Sequence, residues 1–315
     1  MNARGEGAGP RHLFCFGCGY SAKRLARTIL AEGGKVSGTS RTPQGMQALD
    51  ALGIKSWIFD GTAPVPAEAL AGITDILISI PSGDEGEGIL THHPDLARQC
   101  GRLGWVGLLS TTGVYGDAEG AWIDETYARN PLTQANRNRV NAEDDWLRFA
   151  AQTGVPVQVF RLPGIYGPHR SPFARLRSGQ AQRIVKPGQV FNRIHVDDIV
   201  AALRLGMDRP MAGPVFHLAD GHPAPADEVL SHAAALIDLP APPAIGFDDA
   251  SLPPMARHFY EECKRLDISR ARDQLGFEPR FPDYRAGLAA ILGEELRSAD
   301  QDLEIQTRGK LKPCK

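Results

Sequence analysis

The feature that most constrains this sequence is a glycine-rich turn between a short apolar run and an amphipathic helix. The run His12–Phe16 predicts a strand, and 22–32 predicts a helix because its apolar residues recur on one face. Gly17 permits a tight turn, Gly19 lets the main chain approach a diphosphate, and the small Ala22 lets helix and strand pack closely. The alternative is a tight turn without a ligand. The residues predicted to hold a dinucleotide here are Gly17, Gly19, Tyr20, Ser21 and Ala22.

Short apolar runs continue to alternate with helical patterns through the first half of the chain. Apolar strands separated by helices of about ten residues predict a parallel sheet covered on both faces. Thr42 and Pro43 are residue types preferred at a helix N-cap and in a first turn. The sequence therefore predicts an α/β fold, a Rossmann-type doubly wound parallel sheet. Further strands are expected at 35–39, 56–59, 75–80, 105–109 and 155–162, and helices at 42–52, 96–103 and within 131–151.

After residue 168 the alternation of apolar strands and helices becomes less regular, which predicts a second, smaller lobe. We expect a dinucleotide-binding domain over 12–168, with sheet elements returning at about 192–218, and a small C-terminal substrate lobe over 169–294. Residues 1–11 are polar and Gly-rich and are expected to form a disordered lead-in. The charged tail 295–315 is expected to be loosely ordered.

Composition argues against several classes of protein. The chain of 315 residues is 42% hydrophobic and 23% charged, with a formal net charge of −2, which is ordinary for a soluble globular protein. It has no basic stripe, so a nucleic-acid partner is not expected. No apolar run approaches the ~20 residues that cross a bilayer. The first residues also lack the apolar stretch of a secretory signal, which predicts a cytoplasmic protein without a membrane partner.

The end of the second predicted strand indicates which dinucleotide binds. It reads KVSGTSR and has no acid where an NAD-selecting fold places Asp or Glu for the ribose hydroxyl. Ser40 and Arg41 stand there instead, and the planar fork of an arginine matches a 2′-phosphate. This pattern favours NADP(H) over NAD(H). The alternative is that Arg41 is a solvated surface residue.

Two further strand ends are expected to contact the cofactor. Asp60 follows the third strand and is predicted to accept from the adenine amine, although an equal interpretation is a cap of its own loop. Ser79, Ile80 and Pro81 follow the fourth strand, at the crevice edge where such sheets bind ligands.

Histidines and cysteines give weaker signals. His92 and His93 are adjacent but have no acidic or cysteine partner nearby, so no metal site is predicted. Cys15-x-x-Cys18 has the spacing of a redox pair, yet both residues also fit as small residues in a strand and a turn. Five scattered cysteines in a chain of this length argue against a disulfide framework.

Several segments together resemble the extended and atypical short-chain dehydrogenase/reductase superfamily, which contains sugar-nucleotide epimerases, dehydratases and reductases. The matching segments are FGCGYSA, GTSR, LLSTTGVYG, RLPGIYGP and RIHVDD, in the order and spacing of that superfamily, and the resemblance covers about residues 12–290. It implies a Rossmann domain with a small substrate lobe. It also implies a catalytic Ser or Thr after the fifth strand and a Tyr-x-x-x-Lys pair on the next helix.

The resemblance places Thr111 at the Ser/Thr position and, counting back from Glu143, Arg139 at the lysine and Ala135 at the tyrosine. Alanine cannot transfer a proton, and arginine stays protonated. Tyr127, in the loop before that helix, is the candidate for the missing acid, with surface packing as its alternative.

The nicotinamide end of the cofactor is expected to lie along two turns. Thr111, Thr112 and the turn 163–166 are expected there, with Pro163 and Ile165 as cofactor contacts. Tyr115 and Tyr166 sit in turn motifs and are expected to pack against the main chain. In RIHVDD, Asp197 and Asp198 are expected to cap the following helix.

Two functions follow from this interpretation. The first is an NADP(H)-binding oxidoreductase or epimerase-like enzyme acting on a small polar substrate, such as a nucleotide-sugar or a related carbonyl compound. The second is a non-catalytic NADP(H)-binding redox sensor or scaffold, which the missing tyrosine favours. The resemblance is also compatible with a homodimer through the helix at 136–150.

Overall fold

A parallel sheet of seven strands forms the centre of the computed structural model, which describes residues 10–84, 86–249, 252–253 and 257–310. The strands are β1 (His12–Phe16), β2 (Lys35–Ser40), β3 (Lys55–Ile58), β4 (Asp75–Ile78), β5 (Trp105–Thr111), β6 (Trp122–Ile123), β7 (Val157–Leu162), β8 (Gly164–Tyr166), β9 (Arg183–Val185), β10 (Arg193–His195), β11 (Val215–His217), β12 (Ala244–Gly246) and β13 (Arg265–Leu266). The central sheet has the order β11-β7-β5-β4-β1-β2-β3. The predicted Rossmann-type α/β fold is confirmed.

Helices cover both faces of this sheet and build the second lobe. They are α1 (Tyr20–Ala31), α2 (Pro43–Asp50), α3 (Ala67–Leu70), α4 (Ile89–His92), α5 (Leu96–Cys100), α6 (Gln134–Thr153), α7 (Phe173–Arg177), α8 (Val196–Asp208), α9 (Ala226–Leu236) and α10 (Tyr284–Lys310). The Thr42 hydroxyl caps α2 by accepting from the Gly45 N–H at 3.1 Å, with Pro43 as the first helical residue, as predicted.

The strand order determines where a ligand fits. The chain runs outward from β1 through β2 to β3 and then crosses back to β4, so the connection changes direction between β1 and β4. Ligands of open α/β sheets bind at the carboxyl ends of the strands beside such a switch point. The turns after β1, β2, β3 and β4 therefore converge on one edge of the sheet.

Alternating side chains of β1 build the two halves of the core. Leu13 and Cys15 pack with the layer that contains α1 and α8. Phe14 and Phe16 pack on the opposite face, where Trp146 of α6 is also buried. This period of two, with both faces apolar, is what a fully covered parallel strand requires.

The second lobe is built from short strand pairs and helices. β8 pairs with β10, β9 with β12, and β6 with β13. A separate apolar cluster there includes Phe173, Ala233 and Tyr284. The prediction of sheet elements at 192–218 is correct for β11, which extends the central sheet, whereas β10 lies outside that sheet because it pairs with β8.

The chain ends differ from the sequence-based prediction. The tail from 295 was expected to be loosely ordered, but α10 continues through Lys310, over a stretch rich in the helix formers Ala, Leu, Glu and Arg. At the other end, Arg11 was assigned to the lead-in, but its guanidinium pairs with Asp208 at 2.9 Å. The remaining lead-in and tail predictions, for 1–9 and 311–315, lie outside the described residues.

Candidate functional site

The turn after β1 has a geometry that only glycine satisfies at Gly17. Its φ is +83°, and a Cβ there would lie 2.5 Å from Cγ2 of Ile80. Its N–H donates to the Thr39 hydroxyl at 2.9 Å, and its carbonyl accepts from the Ser79 hydroxyl at 2.6 Å. These two bonds attach the turn to β2 and to the end of β4. The turn is therefore fixed by the neighbouring strands.

In contrast to Gly17, Gly19 has free space around the position that a side chain would occupy. A Cβ at this position would meet no atom within 4 Å, and Gly19 is the N-cap of the 12-residue helix α1 without a side-chain capping bond. The first turn of α1 also contains no acidic residue. Main-chain N–H groups at an uncapped helix start, with room in front of them, form a site for a diphosphate. The residues present therefore fit the predicted dinucleotide.

A groove of about 1180 Å³ runs from this turn along the ends of β2, β3 and β4. Of the predicted cofactor residues, Gly17, Gly19, Ser40, Arg41, Asp60, Ser79, Ile80 and Pro81 all line it. The topology brings these residues together from four separate strand ends. A ligand of dinucleotide length is thereby accommodated beside the switch point.

Three predicted residues of the turn do not line this groove. Ser21 and Ala22 are buried beneath the start of α1. The Tyr20 side chain turns away, because its hydroxyl donates to the carbonyl of Pro168 at 2.9 Å and Arg170 lies over its ring. Burial raises the pKa of Tyr20 to about 12. The Tyr20 side chain connects α1 to the loop after β8, and the predicted cofactor contact of Tyr20 stays a prediction.

The part of the groove at the end of β2 contains Arg41 and Ser40. Arg41 is exposed, and within the described residues it forms no ion pair. The neighbouring Ser40 hydroxyl donates to the carbonyl of Thr42 at 3.1 Å. Asp60 accepts from the Thr62 N–H at 3.0 Å and hydroxyl at 2.7 Å, which lowers its pKa. Asp60 thus caps its own loop while still lining the groove.

A second cavity, of about 890 Å³, lies beyond the end of β5. Thr111, Pro163 and Ile165 all line it, as does Thr112. The Thr111 side-chain oxygen accepts from the Gly113 N–H at 3.1 Å, so its own proton is free for an oxygen in the cavity. The structure brings the three predicted residues together here, in a cavity separate from the groove.

Arg139 is engaged by the protein itself. Its guanidinium pairs with Glu87 at 2.9 Å and donates to the main-chain carbonyl of Ile80 at 2.9 Å. The Trp146 indole also donates to Glu87, at 2.7 Å. Burial raises the pKa of the Glu87 carboxyl, and the positive charge of Arg139 opposes this. Arg139 lines neither cavity, and its predicted contact with the ribose and its part in catalysis stay predictions.

The tyrosine proposed as the acid lies elsewhere. Tyr127 is 40% exposed, its ring packs edge-on against Tyr115, and it lines neither cavity. Tyr127 was chosen because its loop precedes α6. Tyr115 is itself buried, with its hydroxyl bonded to His217 and Arg161 at 2.5 Å each. Burial raises the pKa of Tyr115 to about 12.

The cap of α8 also differs from the prediction. His195, not Asp197 or Asp198, is the N-cap, and its Nδ1 accepts from the Asp197 N–H at 3.2 Å. Asp198 is buried and accepts from the N–H groups of Arg280 and Phe281. Burial lowers the pKa of His195 to about 4.

The histidine and cysteine pairs have local roles. His92 contacts the Gly61 carbonyl at 2.9 Å, and His93 accepts from the Val65 N–H at 3.2 Å. Cys15 and Cys18 are free thiols, and Cys18 lines the groove. Among the residues that the structure describes, no group of three His, Cys, Asp or Glu side chains is arranged to hold a metal ion.

No helix in the described part of the chain is both long enough and apolar enough to cross a bilayer.

Sequence reasoning missed the polar residues of the second cavity. Asn136 of α6 lies against Gly113, and Arg193, Glu262 and Lys264 come from the second lobe. Asn192, buried beside them, also contributes. The one available signal was RIHVDD, whose first residue is Arg193. Nothing local marks Glu262 and Lys264, because they reach the cavity only through the pairing of β13 with β6.

Comparison with known proteins agrees with this architecture. The chain belongs to the family of protein YeeZ. It is 30% identical to protein YeeZ of Escherichia coli (strain K12) over 281 residues, which cover 85% of this chain and 95% of that protein. No family model matches the chain.

Solved structures extend the likeness. A conserved protein of unknown function from Silicibacter pomeroyi is 44% identical, with a TM-score of 0.83 over 90% of this chain and 99% of that one. MoeE5 in complex with UDP-glucuronic acid and NAD has a TM-score of 0.71 at 21% identity, over 91% and 99% of the two chains. The dTDP-glucose 4,6-dehydratase DesIV of Streptomyces venezuelae, solved with NAD, has a TM-score of 0.72 at 18% identity, over 89% and 95%. The last two show likeness of fold.

Proposed function

We propose that this protein binds a nicotinamide dinucleotide in the groove and acts on a small polar substrate in the cavity beside Thr111. The observation that carries the proposal is the uncapped start of α1 behind Gly19, which opens directly onto the groove. MoeE5 and DesIV, which share the fold, were both solved with NAD. When bound, the nicotinamide would supply or accept a hydride. The Thr111 hydroxyl would hold the substrate oxygen by a hydrogen bond.

The preferred cofactor is NADP(H). This preference is supported by Arg41, whose guanidinium lies at the groove without an ion pair among the residues that the structure describes, and by the absence of an acid at the end of β2. It departs from the two named fold neighbours, which hold NAD. The preference therefore depends on Arg41 and its neighbour Ser40.

The substrate class is a nucleotide-sugar or a related carbonyl compound. The cavity of about 890 Å³ is large enough for a compound of drug size. Its polar side chains include Asn136, Asn192 and Arg193, which suit a substrate with many oxygen atoms. MoeE5, with the same fold, was solved with UDP-glucuronic acid.

A second candidate function is a non-catalytic NADP(H) sensor or scaffold. The observation that favours it is the engagement of Arg139 by Glu87 and Ile80, together with Ala135 one helical turn earlier. A protein of this kind would bind the dinucleotide without turnover. The presence of a second cavity, which Thr111 and Asn136 help to line, favours the enzyme.

One titration tests the proposal and its cofactor preference together. Isothermal calorimetry of the wild-type protein with NADPH and NADH is expected to show binding of both, with NADPH tighter. Arg41→Ala is expected to weaken NADPH at least tenfold and NADH little, because a charge-assisted hydrogen bond contributes about 1.5–3 kcal/mol. Arg98→Ala, at an exposed arginine away from the groove, is the matched control. Equal losses for both dinucleotides would refute the role of Arg41.

Turnover separates the two candidate functions. The wild-type protein with NADPH is mixed with a panel of carbonyl compounds and nucleotide-sugars, and the absorbance of the reduced nicotinamide is followed. Steady loss of absorbance supports the enzyme. Tight binding without turnover across a broad panel supports the sensor.

A further inference from the structure

Any reduction in the second cavity requires a proton as well as a hydride. Hydride addition to a carbonyl carbon leaves the oxygen negative, and this oxygen must take up a proton to become a hydroxyl. Thr111 donates a hydrogen bond to such an oxygen, but a threonine hydroxyl is too weak an acid to give up its proton outright. The titratable groups that line the same cavity are the side chains placed to supply this proton.

The tyrosines of the cavity have their hydroxyls directed elsewhere. Tyr166 donates to the main-chain carbonyl of Asp283 at 3.4 Å, and its hydroxyl lies against Gly287 of α10. Tyr260 donates to the carbonyl of Ile184 at 3.4 Å. Burial raises the pKa of both tyrosines. Neither tyrosine hydroxyl is placed to donate a proton to a substrate oxygen.

Three other cavity residues are equally unsuited. Arg175 and Arg193 stay protonated at all ordinary pH values, so neither is an effective proton donor. His258 is 54% exposed and pairs with Glu261 at 2.7 Å at the protein surface. The remaining titratable groups that line the cavity in the described structure are Glu262 and Lys264.

Lys264 is buried and held at a defined place. Its side chain is 7% exposed, and its Nζ donates to the carbonyl of Gly116 at 2.6 Å and pairs with Glu262 at 2.5 Å. Gly116 directly follows the turn that begins at Thr111 and Thr112. The ammonium therefore joins the second lobe to the same turn that presents the Thr111 hydroxyl.

The main chain around Lys264 is also fixed. Asn192 donates from Nδ2 to the Lys264 carbonyl at 2.9 Å and accepts at Oδ1 from the Leu266 N–H at 3.0 Å. Asp117 accepts from the Cys263 N–H at 2.6 Å. Asp117 thus holds the residue before Lys264, and Asn192 holds Lys264 itself and the main chain two residues after it. A functional group positioned in this way loses little entropy when it acts.

We propose that Lys264 is the proton donor of the cavity, with Glu262 as its counter-ion; this rests on the proposed function. As the hydride forms the new C–H bond, an N–H bond of the ammonium breaks and the substrate oxygen gains an O–H bond. The carbonyl becomes an alcohol, the nicotinamide is oxidised, and Lys264 becomes a neutral amine. Water at the cavity mouth then returns the proton. In the opposite direction, the neutral amine accepts the proton from the alcohol.

Substitution by arginine separates proton transfer from a structural role. Lys264→Arg keeps the positive charge and the hydrogen bonds to Gly116 and Glu262, but arginine does not release its proton. With NADPH and 9,10-phenanthrenequinone as the probe, we expect kcat to fall about 100-fold or more and KM for NADPH to stay unchanged. Wild-type kcat in Lys264→Arg would overturn the proposal.

Lys186→Met provides the matched control. The Lys186 ammonium also donates to a main-chain carbonyl, that of Tyr260 at 2.5 Å, but it does not line the cavity. We expect it to retain the wild-type kcat. A loss as large as that of Lys264→Arg would show that a hydrogen-bonded lysine of this lobe outside the cavity affects kcat equally, and would overturn the specific role of Lys264.

A second measurement does not depend on turnover. Reductive methylation with formaldehyde and cyanoborohydride, read by mass spectrometry, tests whether the Lys264 amine is open to a carbonyl compound in the folded protein. We expect Lys264 to be modified along with the exposed Lys35 and Lys55. Modification of those two with complete protection of Lys264 would overturn the proposal. Calorimetry with NADPH on the same protein reports separately whether the proposed function holds.

Discussion

The Arg139 guanidinium lies 2.9 Å from the Glu87 carboxylate and 2.9 Å from the main-chain oxygen of Ile80. This contact joins α6 to the segment after β4, which forms one wall of the groove. Because Glu87 is almost fully buried, its charge is compensated chiefly by Arg139 and by the Trp146 indole. The arginine therefore stabilises the groove wall without reaching into the groove.

Removing one partner of this ion pair should destabilise the protein. Arg139→Ala leaves a buried carboxylate unpaired, and breaking buried pairs costs about 3–5 kcal/mol. We expect a loss of about 3 kcal/mol in the free energy of unfolding, measured with urea. Arg137→Ala, on the exposed face of α6, should cost under about 0.5 kcal/mol.

The double variant Glu87→Met with Arg139→Met checks the physical cause. Replacing both charges by apolar groups removes the unpaired charge, so its loss should be smaller than that of Arg139→Ala. A double variant as unstable as the single one would show that the pair is not the reason for the effect.

Gly17→Ala should destabilise the fold itself. An L residue at φ +83° costs about 1–2 kcal/mol, and the new Cβ would also collide with Ile80. We expect a clear drop in Tm, measured by circular dichroism. Gly72→Ala is the matched control, because its φ is +74° but a Cβ there would meet nothing within 4 Å. If both variants lose the same Tm, the contact with Ile80 contributes nothing.

Asp220 should make stability depend on pH. Its carboxyl is buried, one oxygen accepts from the His222 N–H at 3.0 Å, and within the described residues the other has no partner. Burial raises its pKa to about 7. The protonated form therefore stabilises the fold at low pH, and this contribution is lost as the pH rises through about 7.

Asp220→Asn isolates this effect because asparagine is neutral at every pH. Between pH 5 and pH 8 the wild-type protein should lose about 3 kcal/mol relative to the variant, from 1.36 kcal/mol for each unit of pKa shift. Urea unfolding of both proteins at the two pH values measures the difference. Parallel pH curves would mean that the carboxyl titrates normally.

The fold could be predicted from the sequence because its signals are local. The apolar period of β1, the turn at Gly17 and Gly19, and the capping of α2 by Thr42 each depend on residues close in the chain. The segment 295–310 belongs to helix α10, which its content of helix formers favours although its charges suggested loose order. Boundaries at strand ends shifted by a few residues, as for β5, which continues to Thr111.

The candidate site was predictable only in part, for a physical reason. Residues at strand ends, such as Arg41 and Ser79, are placed by sheet topology, which the sequence pattern reveals. The partners of Arg139 and the position of Lys264 depend on contacts across 52 and 148 residues of sequence, respectively. Such contacts arise from tertiary packing and produce no periodic pattern in the amino-acid sequence. Tyr127 is an example, because its proximity in sequence to α6 does not place it among the residues that line the cavity.

The central claim is that a dinucleotide diphosphate binds the main chain at the start of α1. Calorimetric titration of Gly19→Val with NADPH tests it most directly, because a side chain there would point into open space in front of the helix and should not disturb the fold. We predict an unchanged Tm and a loss of NADPH affinity of at least 100-fold. Wild-type affinity in a folded Gly19→Val protein would contradict the account.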